Sequence, residues 1–249
     1  MKFSVCLDAL YKDKDIYQSV EEIKRAGFSA IEFWSWWDKD IYEIKNAADQ
    51  FEMDIVTFCT PFISLIDKDQ LQSYKKALIN SIRTAKLLNC KQLVTQIGQE
   101  RSDINEQDQT EIVVAGLKAC VPLLERKDIT LLIEPLNTKV DHPGYFLSTA
   151  ADAIDIVKRV NSSHVKILYD FYHQDMTEGV DLSSIEENIN WIGHFHAASV
   201  PDRHEPDTGN LDYHPIFTTI SETDYPGHMG LEYFPKADAT EGLKRLAAY

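Results

Sequence analysis

Short apolar runs alternate with amphipathic stretches along almost the whole chain. Strand-like runs fall near Phe3–Leu7, Ala30–Trp34, Ile55–Cys59, Gln92–Ile97, Thr130–Pro135, Val165–Asp170, Ile192–Ala198 and Met229–Phe234. Helical spacing fills the intervals. Ile16, Val20, Ile23 and Ala26 share one face, and Gly27 follows as a C-terminal cap would. Leu78, Ile82, Ala85 and Leu88 repeat the pattern, as do Ile112, Ala115, Leu117, Ala119 and Leu123. Ser148 and Thr149 offer an N-cap for a helix over Ala153–Val160, and Ala237–Ala248 predicts a closing helix.

Eight strands alternating with eight helices predict a (β/α)₈ TIM barrel, an α/β fold filling residues 1–249 as one domain. The rival, an open doubly wound sheet, would place a glycine-rich phosphate turn after the first strand. That place holds LDALYKDKD, without glycine. The longest irregular stretch, Ser199–Asp212, is rich in Pro, Gly, Asp and His, and a loop of that length is often functional.

Four of the strand-like runs end on residues that bind metals. They are LLIEPLN with Glu134, KILYDFYH with Asp170, GHFHAAS with His196 and MGLEYF with Glu232. Parallel barrels carry their chemistry at the C-terminal ends of the strands. Each carboxylate alone could be a solvated strand end or half of a salt bridge, and a lone histidine is commonly a satisfied core residue. Four such residues at four successive strand ends predict one shared divalent site. Three carboxylates and an imidazole suit Mn²⁺ or Mg²⁺, with Co²⁺ or Zn²⁺ as alternatives. A cation there would polarise a substrate carbonyl and acidify the neighbouring C–H, with Glu134 and Glu232 facing each other as base and acid.

Other polar residues gather at the same mouth. His173 follows Asp170, and Arg203 in the long loop could grip a substrate carboxylate or hydroxyl, or stay an exposed loop charge. His194 shares a strand face with His196 one layer deeper, as support or core packing. Glu32 reads as a polar residue inside the barrel. Trp34, Trp36 and Trp37 form a pocket wall or pack against helices. His142, His204 and His214 read as surface loop residues.

The formal net charge of −15, with no basic patch, argues against nucleic acid as a partner. No apolar run approaches the length of a membrane span, and no signal peptide is evident. Cys6, Cys59, Cys90 and Cys120 are scattered, which predicts buried free thiols in the reducing cytoplasm. A small molecule is the expected partner, and barrel helices could also build a homo-oligomer.

At these residues the chain resembles the hydroxypyruvate isomerase family, among the xylose-isomerase-like barrels. The motifs are Ile133-Glu134-Pro135-Leu136-Asn137-Thr138 with Pro143-Gly144-Tyr145-Phe146-Leu147, then Tyr169-Asp170-Phe171-Tyr172-His173. Val200-Pro201-Asp202-Arg203-His204-Glu205-Pro206 and Gly230-Leu231-Glu232-Tyr233 complete the set. The resemblance implies a divalent-metal isomerase in which Glu134, Asp170, His196 and Glu232 hold the ion. It also implies that Glu134 and Glu232 move protons while His173 and Arg203 bind substrate. One departure stands out: members often carry His-x-Gln where this chain has His194-Phe195-His196, and the ketose 3-epimerase branch uses histidine there. The implied substrate is therefore hydroxypyruvate, another short 2-keto acid or hydroxy-aldehyde, or a free sugar. A ketose 3-epimerase or a keto-polyol dehydratase is the alternative on the same scaffold.

Overall fold

The computed structural model describes residues 1–247. Eight parallel strands close into a barrel in sequence order. They are β1 (Lys2–Cys6), β2 (Ala30–Phe33), β3 (Asp54–Cys59), β4 (Gln92–Thr95), β5 (Thr130–Ile133), β6 (Val165–Asp170), β7 (Ile192–Ala197) and β8 (His228–Leu231). β1 closes the ring against β8, pairing Phe3 with Met229 and Val5 with Leu231. All eight runs read from the sequence are strands, with ends shifted by a few residues.

The helices depart more from expectation. The described residues hold eleven α-helices rather than eight. The stretch read as one helix through Leu123 is two, Glu106–Lys118 and Val121–Lys127. Pro122 explains the break: it lacks an N–H and fits only the first turn of a new helix. A helix over Phe171–Thr177 begins directly on Asp170, and a four-residue helix follows β1. The closing helix spans Ala239–Leu246; Ala248 lies outside the described residues.

Local capping agrees with the sequence. Gly27 has φ +100°, its N–H donates to the Lys24 carbonyl, and the Phe28 N–H donates to the Ile23 carbonyl. This paired closure needs a left-handed residue at Gly27. Thr149 accepts from the Asp152 N–H and starts the helix Ala150–Val160, three residues earlier than expected.

Alternation along the strands separates two environments. On β5, Leu131 and Ile133 face the helices and join the main core, while Leu132 turns inward to pack with Val94 and Leu168. Two residues beyond Leu132 and Leu168 lie Glu134 and Asp170. The apolar plug thus supports the polar mouth from below. Among the described residues no helix is long and apolar enough to cross a membrane.

Candidate metal centre

β6 and β7 pair Leu168 with His194 and Asp170 with His196. β7 and β8 pair His196 with Gly230, two residues before Glu232. This register brings the side chains of Glu134, Asp170, His196 and Glu232 together, each offering one donor atom within 4.8 Å of the others. All four residues are buried. His196 Nδ1 lies 3.7 Å from Glu134 Oε1, 3.9 Å from Asp170 Oδ2 and 3.5 Å from Glu232 Oε2.

Whether the site suits a cation is decided by what its inner atoms lack. Asp170 Oδ1 accepts from the backbone N–H groups of Tyr172 and His173, so the helix start orients the carboxylate. Its Oδ2 has no hydrogen-bond partner, and neither has His196 Nδ1. Buried polar atoms without partners are costly and rare. Here two of them face one point, which fits a donor set for one divalent ion.

The electrostatics point the same way. Burial pushes the Glu134 carboxyl up to about 8, opposed by His196 and helped by Glu232. Burial raises the Asp170 carboxyl as well, against the pull of Arg203. Burial would also raise Glu232, but His196 and Arg203 outweigh it and hold that carboxyl well below the usual range. His196 behaves conversely: burial would lower it, yet Glu232 and Glu32 hold it well above the imidazole range.

A second ring of contacts fixes the donors. Glu32 Oε2 accepts from Ser4 Oγ at 2.7 Å and lies 2.9 Å from His194 Nε2. Glu32 Oε1 lies 2.8 Å from His196 Nε2, off the line of a full N–H bond. A carboxylate behind a ligating imidazole sets its orientation and basicity. Gly230 leaves room for this pair, since a Cβ there would fall 2.5 Å from Glu32 Oε1 and 2.6 Å from His196 Cδ2. Glu232 is held from two sides: Trp34 Nε1 donates to Oε1 at 2.5 Å, and Arg203 Nη2 donates to Oε2.

Arg203 is drawn in from the long loop after β7. Its φ is +54°, and its carbonyl accepts from the Phe234 N–H. The guanidinium lies over the Tyr172 and Phe234 rings, 5.0 and 5.8 Å from their centroids. Its Nη2 is also 3.7 Å from Asp170 Oδ2, so it is not an exposed loop charge. His173 Nε2 lies 3.7 Å from Asp170 Oδ2, and its Nδ1 lies 2.7 Å from Asn137 Nδ2. Burial and Arg203 hold His173 well below the usual imidazole range, so it is neutral at pH 7. Asn137 Nδ2 and Tyr172 Oη both donate to Asp141 Oδ2.

The six residues expected at the site all meet at this mouth. Several expectations outside that set need correction. His142 is not a surface residue; it lines the cavity with its ring 5.4 Å from His173. His214 is exposed as read, but lies in the helix Tyr213–Ser221 rather than a loop. His204 is half-buried, with Nδ1 2.7 Å from the Phe234 carbonyl. The tryptophans divide. Trp34 bonds Glu232, Trp36 donates to Ser81 Oγ beside the helices, and Trp37 stands at the cavity rim. Sequence reasoning missed the roles of Trp34, Asn137, Asp141 and Tyr172. The Asn137 and Tyr172 positions were visible inside the motifs; nothing local marked Trp34 as a partner of Glu232.

The barrel and its carboxylate-rich donor set define a class, the TIM barrels with a metal-type centre at the strand C-termini. The chain belongs to the xylose isomerase-like TIM barrel family, whose model matches residues 20–249. It is 28% identical to the hydroxypyruvate isomerase of Escherichia coli K12 over all of this chain and 99% of that one. It is 41% identical to the 2-oxo-tetronate isomerase of Cupriavidus necator over 49% of this chain and 46% of that protein. The crystal structure of a Brucella melitensis protein named AP endonuclease, family 2, matches with a TM-score of 0.93 at 28% identity, covering 100% of this chain and 98% of that one. The resemblance carried by the motifs therefore holds across the full chain.

Two outcomes are expected. Divalent-ion affinity should rise with pH through neutrality and past pH 8, because an incoming ion must displace the Glu134 proton, held up to about 8, and the His196 proton, held well above the imidazole range. Calorimetry in buffers of different ionisation enthalpy should show at least one proton released at pH 7; a pH-independent affinity would contradict this. Glu32→Gln should weaken ion binding by about 10–100-fold and lower the thermal melt of the ion-free protein, because it takes the buried counter-charge from His194 and His196.

Proposed function

We propose that the protein is a metal-dependent isomerase of a small hydroxy-carbonyl compound, of the hydroxypyruvate/tartronate semialdehyde type or a short sugar. The observation that carries this reading is the convergence of Glu134, Asp170, His196 and Glu232, with the orphaned Asp170 Oδ2 and His196 Nδ1 facing inward. Full-length similarity to a named hydroxypyruvate isomerase supports the same reaction class. Glu134, Asp170, His196 and Glu232 would hold one divalent ion, Mn²⁺ or Mg²⁺ by the oxygen-rich donor set, with Co²⁺ and Zn²⁺ as substitutes. When bound, it would supply Lewis-acid polarisation of the substrate carbonyl.

The chain's own groups do the proton work. Glu232, kept ionised by His196 and Arg203, is poised to accept a proton from the carbon beside the carbonyl at a carboxylate oxygen. Glu134, whose environment favours the protonated form, is poised to return one to the carbonyl carbon, while the proton of the neighbouring hydroxyl passes to the former carbonyl oxygen; exchange with solvent then restores the starting protonation of the two carboxyls. The reverse reaction exchanges the two roles. Arg203 offers its fork to a substrate carboxylate or hydroxyl, and neutral His173 offers a ring nitrogen to a hydroxyl.

His196 in place of glutamine keeps a second reading in view: epimerisation at a ketose C3 or dehydration of a keto-polyol through the same proton abstraction. Incubating the Mn²⁺-loaded enzyme with hydroxypyruvate, tagatose and inosose in D₂O separates the three by product and deuterium position. Isomerisation places label on the original carbonyl carbon, and epimerisation returns it to the carbon beside. Glu134→Gln and Glu232→Gln should each lower kcat by about 10²–10⁴-fold, the first with a near-native thermal melt and the second with a lower one because it breaks the buried pair with Arg203; undiminished turnover in either would refute its proton-transfer role.

A DNA-directed activity, of the kind the Brucella protein is named for, conflicts with the charge of −15. Abasic duplex DNA should not bind at moderate salt, and tight, salt-sensitive binding in a filter or anisotropy assay would reverse that conclusion.

A further inference from the structure

The cavity over the donor cluster is larger than a three-carbon substrate requires. It has a volume of about 550 Å³ and runs from Glu134, His196 and Glu232 out to Trp37, Asp38 and Phe62. A three-carbon hydroxy-carbonyl compound would be confined to the inner end, where its carbonyl and hydroxyl meet the donors and Arg203. The outer end is therefore a separate binding region.

Its chemistry is specific. Trp37 and Phe62 leave 41% and 60% of their surface exposed. Their rings meet edge to face at 5.5 Å and 88°. Trp36 supports Trp37 at 6.2 Å and is itself tied to Ser81. Large exposed aromatics that line a catalytic cavity offer an apolar face to the C–H side of a ligand. Beside them Asp38 Oδ1 accepts from Ser35 Oγ at 2.5 Å, and Lys39 Nζ lies 3.4 Å from the same oxygen. Lys39 also reaches Asp8 Oδ1 at 2.7 Å, which fastens the loop to the barrel. Asp38 Oδ2 has no hydrogen bond to either partner, so the carboxylate keeps acceptor capacity for hydroxyl groups. Gln96 adds a second polar group along the path. Arg203 is the only arginine or lysine lining the cavity among the described residues, and it is spent on the inner end.

We infer that Trp37, Phe62 and Asp38 form a distal subsite for the uncharged, hydroxylated tail of a substrate longer than three carbons. The aromatic pair takes the C–H face, Asp38 accepts from hydroxyls, and its charge disfavours a terminal phosphate or carboxylate. This rests on the isomerase reading for the placement of the reactive end, and it narrows the substrate class to longer polyhydroxy ketoses or 2-keto acids with a neutral tail.

The test is a binding series that does not depend on turnover. Glycerol, erythritol, xylitol, sorbitol and sorbitol 6-phosphate are titrated against the Mn²⁺-loaded protein by calorimetry and tryptophan fluorescence. Affinity should rise with chain length, by about tenfold or more from glycerol to sorbitol, and fall for the phosphate. Trp37→Ala and Phe62→Ala should flatten the length dependence, and Asp38→Lys should reverse the preference between sorbitol and its phosphate. A flat series, an unchanged phosphate preference in Asp38→Lys, or a length dependence that survives both aromatic replacements would overturn the inference. So would a dimer that dissociates on Trp37→Ala with the series unaltered, since the rim would then be a contact between copies. If the series behaves as expected but no hydroxy-carbonyl compound is isomerised with any ion, the subsite stands and the reaction reading fails.

Discussion

The structure turns on one electrostatic constraint: four carboxylates, Glu32, Glu134, Asp170 and Glu232, are buried at the mouth of one barrel. Charges removed from water must be matched or neutralised. The protein answers differently at each. Glu32 is matched by two histidines and Ser4, which keep it ionised although burial opposes that. Glu232 is matched by Arg203, Trp34 and His196. Asp170 is half satisfied by the start of a helix, and Glu134 by little beyond the His196 ring. The imbalance among the four is what leaves donor atoms aimed at a common point.

Much of the surrounding architecture can be understood as consequences of that constraint. The long loop after β7 turns through a left-handed residue at Arg203 and is tied back to Phe234, because the guanidinium must reach Glu232. Tyr172 lies under the guanidinium and donates to Asp141, which also takes Asn137, the partner of His173. One exposed aspartate thereby connects His173, through Asn137, with the ring that lies under Arg203. A glycine at position 230 is required because Glu32 and His196 meet where its side chain would stand.

The barrel and the donor cluster were legible in the sequence for the same reason. Period-two alternation gives each strand an inner face, and a polar residue two positions past an inward apolar one must emerge at the mouth; Leu132 with Glu134 and Leu168 with Asp170 show it. What could not be read was the pairing across the ring. Trp34 and Glu232 are 198 positions apart, and their hydrogen bond depends on the closure of β1 against β8. Glu32 was visible as a barrel-interior carboxylate, but its partnership with His194 and His196 depends on the distance spanned by the barrel interior. Helix breaks were missed where amphipathic spacing ran on unbroken, as before Pro122, since the pattern of apolar faces does not record the loss of one N–H.

Similarity to a protein named as an AP endonuclease and to one named as an isomerase shows that the barrel alone does not choose the chemistry. The donors narrow it. A single imidazole among three carboxylates makes a hard, oxygen-rich centre, whereas sites built for several zinc ions draw on more nitrogen. A polyanionic backbone would also have to approach past Asp38 at a cavity with one guanidinium, already bonded to Glu232. A small neutral or singly charged hydroxy-carbonyl compound meets neither obstacle. The cavity that would receive it is lined by the polar side chains of Asp38, Gln96 and His173 and by the aromatic rings of Trp37 and Phe62. The same acidic mouth that could hold a cation thus disfavours a polyanionic ligand.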